Sequence, residues 1–339
     1  MNYSNLLLKL VIALSMLALS VSACSVGTSN VTPSVQSTEF TSPEMKNVVA
    51  RVNGTEITAG ELKRAQKLFM AAQPGGKIPP GLNKQFEKRS LDQLVDLELL
   101  FQAGQKLEVK DLDKQVTDKF EKNRAGFTDE KDYAKRLQNF GIDENMLRDS
   151  IRRDLVVANF VTTNIAPKIA VSEEEIKTFY DKNPTNFLKP EQLKTSHILI
   201  GVDSKAGVEE KKKAREKAEK LHKELIGGAD FETLAKENST CPSSKQGGDL
   251  GYFTKGKMVP QFEKAAFALE IGGLSGVVET QYGFHIIKLM DRKNAETTPL
   301  AASTKQIEDY LKAQKTNDAI AAYIVEARKS AKIEMLLPQ

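Results

Sequence analysis

The chain has 339 residues, enough for at least two domains at roughly 100–200 residues each, and 40% hydrophobic with 28% charged residues excludes wholesale disorder and a polytopic membrane protein. Its 49 Lys+Arg against 45 Asp+Glu leave a net charge of +4, interspersed rather than gathered into a stripe, which argues against nucleic acid as a partner. Two cysteines rule out a multi-disulfide scaffold, and the absence of Trp with 6% aromatics suits helix-rich packing on aliphatic side chains.

Residues 1–23 read as an export signal: Lys9, an apolar run over residues 10–19, then Val21, Ser22 and Ala23 immediately before Cys24. The apolar run is short for a spanning helix. Residues 24–46, rich in Ser, Thr, Val and Pro, read as a flexible tether. Next, residues 48–52 and 55–57 flank Asn53-Gly54, the dipeptide of a type I′ hairpin. Thr58 with Glu61 forms a capping box for a helix carrying Leu62, Ala65, Leu68, Phe69 and Ala72, which ends at Pro74-Gly75-Gly76. Apolar stripes at helical spacing follow at Leu91/Leu94/Val95/Phe101, Leu112/Val116/Phe120, Tyr133/Leu137/Phe140 and Ile151/Leu155/Ala158/Val161. A second capping box, Ser172 to Glu175, opens a connecting helix that stops before Pro184.

From there the pattern changes. Residues 194–201 read as a buried strand, residues 208–226 as a charged amphipathic helix ended by Gly227-Gly228, and a further helix starts from Asp230. The Lys211-Lys212-Lys213 run is interleaved with glutamates and reads as a solvated face, with His222 a surface residue of the same helix. A turn-rich loop from Cys241 runs through Gly247-Gly248-Asp249-Leu250-Gly251 into a strand, a helix begins near Pro260, and residues 283–289 close the segment as a strand. Helical period returns over residues 304–329, and residues 332–337 look like a lone strand. A lone strand needs a partner, so the C-terminal piece is expected to pack back on the N-terminal helices, with residues 332–337 pairing near residues 48–57.

Three resemblances add to this reading. Leu19-Ser20-Val21-Ser22-Ala23-Cys24 resembles a bacterial lipobox, which implies cleavage before Cys24, acylation of its thiol and stable attachment to a bilayer; an ordinary signal peptide or an uncleaved anchor is the alternative. Ser25 is not the Asp that retains lipoproteins at the inner membrane, so the anchor is expected at the outer membrane facing the periplasm in a two-membrane envelope, or on the outer face of the cell membrane otherwise. The Val52-Asn53-Gly54 hairpin before the first helix resembles the opening of the chaperone domain of SurA- and PrsA-type foldases.

The segment 191–292 resembles a complete parvulin-type peptidyl-prolyl isomerase domain. Its His197-Ile198-Leu199 strand, Gly247–Gly251 loop, Met258-Val259-Pro260-Gln261-Phe262 helix start and Gly283–Ile287 strand stand in family order and spacing. The implied fold class is α+β: a mostly helical, discontinuous SurA-like chaperone domain with an inserted parvulin domain, whose four-stranded, largely antiparallel sheet is flanked by helices. The expected domains are residues 47–188 for the chaperone part, 189–293 for the parvulin part and 294–339 for the returning helix and strand. The resemblance implies a proline pocket from Leu250, Met258 and Phe262, a paired hydrogen-bonding role for His197 and His285, and a polarising role for Cys241. Thr280, Tyr282 and Gln261 are further polar candidates. The short loop 202–207 lacks the basic cluster of phosphate-directed parvulins, so phospho-Ser/Thr-Pro selection is not expected.

The implied function is a lipid-anchored foldase that isomerises X-Pro bonds in unfolded exported proteins and needs no cofactor or metal. The alternative is a binding-only chaperone with a weak or inactive parvulin domain. A Cys/His hydrolase using Cys241 with His197 or His285, or a zinc site from the same three side chains, are further rivals. Pro242 directly after Cys241 argues against the first, because it removes a backbone donor that such a nucleophile uses for its oxyanion.

Overall fold

The computed structural model describes residue 40 and residues 42–71, 81–203 and 205–337. The export signal, Cys24, most of the tether and the Pro74-Gly75-Gly76 stop lie outside the described residues. Two compact units are present: one runs up to Ser172 and resumes at Glu308, and the other is Glu173–Ile307.

The first unit starts with a hairpin of β1 (Val48–Val52) and β2 (Thr55–Thr58), paired antiparallel with Val52 opposite Thr55. Asn53 and Gly54 both take positive φ (52° and 90°), the conformation a type I′ turn demands of its two central residues. The capping box forms: Glu61 Oε2 accepts from the Thr58 amide at 2.7 Å, and the Glu61 amide donates back to Thr58 Oγ1 at 3.3 Å. It opens α1 (Ala59–Ala71), after which come α2 (Asn83–Gly104), α3 (Leu112–Arg124), α4 (Glu130–Phe140) and α5 (Glu144–Phe160). Asp129 and Asp143 cap α4 and α5 by accepting from the Lys131 and Met146 amides, each at 2.8 Å.

The stripes read from the sequence become three cores. Val116, Phe120, Tyr133, Leu137, Phe140, Leu147 and Ile151 join α3, α4 and α5. Val52, Ile57, Leu62, Leu91 and Val95 hold the hairpin to α1 and α2. The third, around Leu100, Val157 and Phe160, takes Ile320 and Ile324 from α10 (Leu300–Ser330), and Arg328 reaches back to Asp96 at 2.6 Å. Burying side chains of this size stabilises by about 1.5–3 kcal/mol each, which is what recruits the returning helix. The last strand, β9 (Ile333–Met335), pairs antiparallel with the free edge of β1, Val52 opposite Ile333. The chain end thus finds the partner that its isolated strand required.

In the second unit a four-stranded antiparallel sheet has the order β5-β4-β7-β6, with β4 at Gln192–Gly201, β5 at Asp249–Thr254, β6 at Val278–Thr280 and β7 at Gly283–Lys293. Both faces are covered, so the middles of β4 and β7 are buried along nearly their whole length, including the polar Thr195, Ser196, His197 and His285. Ile198, Ile200, Phe284 and Ile286 meet α7 (Val208–Ile226) and α8 (Phe231–Asn238) through Ala218, Leu221, Phe231 and Ala235. Leu193, Ile287 and Leu289 on the other face meet α9 (Pro260–Phe267) through Phe262 and Ala266.

This unit also includes α6 (Glu173–Lys182), the connecting helix of the sequence reading, and a ribbon of β3 (Leu188–Lys189) with β8 (Glu296–Thr297). The Tyr180 hydroxyl donates to the Thr298 carbonyl at 2.8 Å and its ring packs on Phe187 with centroids 4.5 Å apart, which fastens α6 to the ribbon. Strands two residues long leave no periodicity, so the ribbon has no signature in the sequence. The long C-terminal helix starts at Leu300, four residues before the expected residue 304, immediately after Pro299.

Candidate active site

The two histidines meet because of strand register. His197 on β4 stands opposite Ile287 and His285 on β7 stands opposite Leu199, so the histidines are diagonal neighbours on one face of the sheet. Their rings stack at 26° with centroids 5.4 Å apart, and Nδ1 faces Nδ1 at 3.2 Å. The same geometry repeats one strand further out: Val278 pairs with His285, which puts Thr280 on the diagonal and its Oγ1 2.8 Å from His285 Nε2. Phe262 from α9 presents its ring nearly perpendicular to both imidazoles, at 5.7 Å and 5.5 Å between centroids. His197, His285 and Phe262 are all buried, at 5%, 4% and 3% exposure.

Burial pushes both imidazoles down to about 4, with the neighbouring His197 adding to the shift of His285, so both rings are neutral near pH 7. One proton is therefore shared across the Nδ1–Nδ1 contact. Thr280 Oγ1 also accepts the Tyr282 amide at 3.1 Å and lies 3.5 Å from the Gly283 carbonyl, to which its hydroxyl can donate, so it can pair with either tautomer of His285. His197 Nε2 is buried and has no partner among the described residues.

The glycine loop is needed for backbone proximity. The His197 amide donates to the Gly248 carbonyl at 2.9 Å, and with φ at +80° a Cβ on Gly248 would lie 2.2 Å from the His197 carbonyl oxygen. Cys241 is half-buried at the head of the same loop and is the free cysteine among the described residues. It is fastened to the end of β4: Ser239 Oγ accepts from the Leu199 and Cys241 amides, at 3.0 and 3.4 Å, and the Thr240 amide donates to the Leu199 carbonyl at 2.8 Å. Leu250 and Met258 pack with Phe262 in one apolar cluster, each keeping some exposed surface. Gln261 and Thr280 share a cleft of about 490 Å³ with Asp203 and Lys211, whereas the side chain of Tyr282 stands out at 55% exposure.

The sequence-derived residues thus fall into a contiguous His197–His285–Thr280–Phe262 set, an adjoining apolar pair Leu250 and Met258, and Cys241, tied in through the backbone. Among the described residues no three His, Cys, Asp or Glu side chains gather in a metal-holding group. Sequence reasoning missed Phe253, whose ring lies 6.3 Å from Phe262, and Thr195, fully buried two residues before His197 with its hydroxyl unpartnered. It also missed Glu263, which accepts the Gly256 amide at 2.5 Å and so holds the loop that carries Met258. Alternation along β4 and β5 could have found the first two. The third depends on a turn no pattern announces.

Comparison with known proteins agrees with this architecture. The PPIC-type PPIase domain family matches residues 179–293 and the SurA-like N-terminal domain family matches residues 2–161. Foldase protein PrsA of Caldanaerobacter subterraneus subsp. tengcongensis is 34% identical over 245 residues, covering 72% of this chain and 69% of the relative. Foldase protein PrsA of Clostridium botulinum (strain Loch Maree / Type A3) is 30% identical over 261 residues, covering 74% of each. A solved SurA-like chaperone structure from Campylobacter jejuni aligns over 85% of this chain and 99% of that one at 27% identity, with a TM-score of 0.46. Both PrsA relatives are named as foldases. The chain belongs to the PrsA foldase family and is a peptidyl-prolyl cis-trans isomerase of the parvulin type.

Proposed function

We propose that catalysis is rotation without bond making, carried out at the surface formed by Leu250, Met258 and Phe262. The X-Pro amide resists rotation by about 18–20 kcal/mol because twisting it destroys resonance. A site that grips the prolyl ring and solvates the twisted carbonyl better than the planar one lowers that barrier. Leu250 and Met258 supply the walls, and Phe262, almost wholly buried, supplies the floor. The neutral His197–His285–Thr280 chain positions the floor and adds no charge that would need desolvation. Cys241, Gln261, Thr280 and Tyr282 are the polar groups near the twisting peptide, with the thiol polarising rather than attacking. The observation that carries this reading is the perpendicular seating of the Phe262 ring on two stacked, neutral imidazoles.

The remainder of the proposal concerns place and layout. Residues 1–23 are a lipoprotein signal, Cys24 is acylated, and residues 24–46 tether the foldase outside the cytoplasm. Residues 47–188 with residues 294–339 form the chaperone domain and residues 189–293 the isomerase domain, the compact unit Glu173–Ile307 taking in, besides the latter, the connecting helix α6, the β3–β8 ribbon and the start of α10. The clients are unfolded exported proteins containing X-Pro bonds. Exchange spectroscopy on an unphosphorylated Ala-Pro peptide tests the site: the chain from Ser25 onward should catalyse exchange, and Met258→Ala/Phe262→Ala should abolish it. A folded wild type without catalysis would instead support the binding-only chaperone. Cys24→Ser should release the protein from membranes; retention would rule out the lipid anchor.

A further inference from the structure

The isomerase unit encloses two polar atoms that the bonding of its site leaves out. Thr195 Oγ1 and His197 Nε2 are each buried without a hydrogen-bond partner among the described residues, in side chains belonging to residues 0% and 5% exposed. Two positions apart on β4, Thr195 and His197 share one face of the sheet, the face of Leu193, Ile287 and Leu289 that packs against Phe262. Their Cα atoms are then about 6.5 Å apart, a spacing at which one water molecule reaches both side chains with ordinary hydrogen bonds of about 2.8 Å.

Strand pairing singles out the same place. On one side of β4 the register with β7 slips between Lys194 and Thr195, passing over Met290. On the other the register with β5 slips between Lys194 and Ser196, so Thr195 stands opposite two residues, Leu250 and Gly251, the latter with φ at +66°. Bulges re-aim side chains and concentrate beside active sites, and here two of them flank one buried hydroxyl. A valine would fill this position with nearly the same shape and no hydroxyl to desolvate, so packing alone gives no reason for a threonine.

We infer that Thr195 is a positioning residue of the isomerase: it holds one internal water against His197 Nε2 and so fixes the order of protons along the histidine pair. The water accepts from His197 Nε2–H and donates to Thr195 Oγ1. His197 Nδ1 then accepts from His285 Nδ1–H, and His285 Nε2 accepts from the Thr280 hydroxyl, over the contacts of 3.2 and 2.8 Å. Without Thr195 to hold the water, an N–H at His197 Nε2 would be a buried donor with no acceptor, so the proton moves to Nδ1 and the order reverses. Thr280 then donates to the Gly283 carbonyl at 3.5 Å, a longer and weaker bond. The inference rests on the proposed function in taking the pair as the support on which Phe262 is seated.

Nitrogen-15 labelling of the histidines in the full chain, which has three, reads the ring tautomers directly. The wild type should carry protons on His197 Nε2 and His285 Nδ1, and Thr195→Val should reverse both. The same variant should lower kcat on an Ala-Pro peptide about fivefold, with KM within about twofold and a melting temperature no lower than that of the wild type. Thr195→Ser keeps the hydroxyl and should restore tautomers and kcat together. Tautomers unmoved by Thr195→Val would overturn the inference, as would a kcat loss that Thr195→Ser does not rescue, or a crystal structure with Thr195 Oγ1 and His197 Nε2 bonded to separate partners. If Met258→Ala/Phe262→Ala abolishes exchange while Thr195→Val leaves it untouched, the inference fails and the Phe262 floor stands. Exchange that survives in that double variant would defeat the floor, and the inference with it.

Discussion

Lowering the pH should selectively loosen the isomerase unit, because its two buried imidazoles stay neutral while those of the unfolded chain take up protons. The sign follows from which state holds more protons. With folded values of about 4 against an ordinary value of 6.5, the unfolded state binds more protons throughout that interval, so stability falls as pH drops from 6.5 to 4. Each ring then costs little at pH 7 and about 2 kcal/mol at pH 5, so the pair loses on the order of 3–4 kcal/mol between the two. In hydrogen exchange, corrected for intrinsic rates, the β4 and β7 amides should lose protection by on the order of 500-fold between pH 7 and pH 5, if they exchange through opening of this unit. Ring C–H resonances of His197 and His285 should remain in the neutral position down to pH 5. Titration of either ring between pH 6 and 7, or flat protection of both strands over this range, would refute the reasoning.

Four further outcomes are expected. In the helical unit Asp154 has the opposite sign: a carboxyl raised to about 7 is held protonated by the fold, so this group contributes about 2–3 kcal/mol at pH 5 that is lost by pH 8, and Asp154→Asn should flatten that dependence in urea melts. Phe262→Ala should cost about 3–5 kcal/mol of stability as well as catalysis, whereas Phe262→Leu, which refills most of the cavity, should recover much of the former. Gly248→Ala should destabilise by more than about 2 kcal/mol, since both the positive φ and the 2.2 Å approach to the His197 carbonyl must relax, as thermal unfolding would register. Thr280→Val removes the hydroxyl from His285 Nε2, so kcat/KM should fall roughly tenfold with a shifted His285 ring resonance, and Thr280→Ser should restore both.

Much of this protein could be read locally. The Asn53-Gly54 turn, the Thr58–Glu61 box, the helical stripes and the glycine stop after α7 are signals carried within two to seven neighbouring residues, and each element appears where those signals stand. The parvulin motifs likewise named His197, His285, Phe262 and Thr280 without any coordinates. Whether those side chains touch was a different question, because a one-residue slip between β4 and β7 would turn one histidine to the opposite face of the sheet.

Tertiary structure alone decided three things. The pairing of β4 with β7, joining residues 88 apart, made the histidines diagonal neighbours and buried them, and burial in turn set their charge. That the C-terminal strand returns to residues 48–57 followed from a lone strand's need for a partner, but its register on the edge of β1, Val52 opposite Ile333, depended on surface left open by segments about 280 residues earlier, to which no local period responds. Ser150 and Asp154 lie off the apolar stripe Ile151/Leu155/Ala158/Val161, and only the packing of α1, α2 and β2 around them buried their polar atoms. Local propensities act over a few residues, whereas burial, register and charge state belong to surfaces assembled from segments far apart in the chain. The sequence by itself therefore determined which elements form and which chemistry they carry, and the fold determined which of those groups meet and in what protonation state.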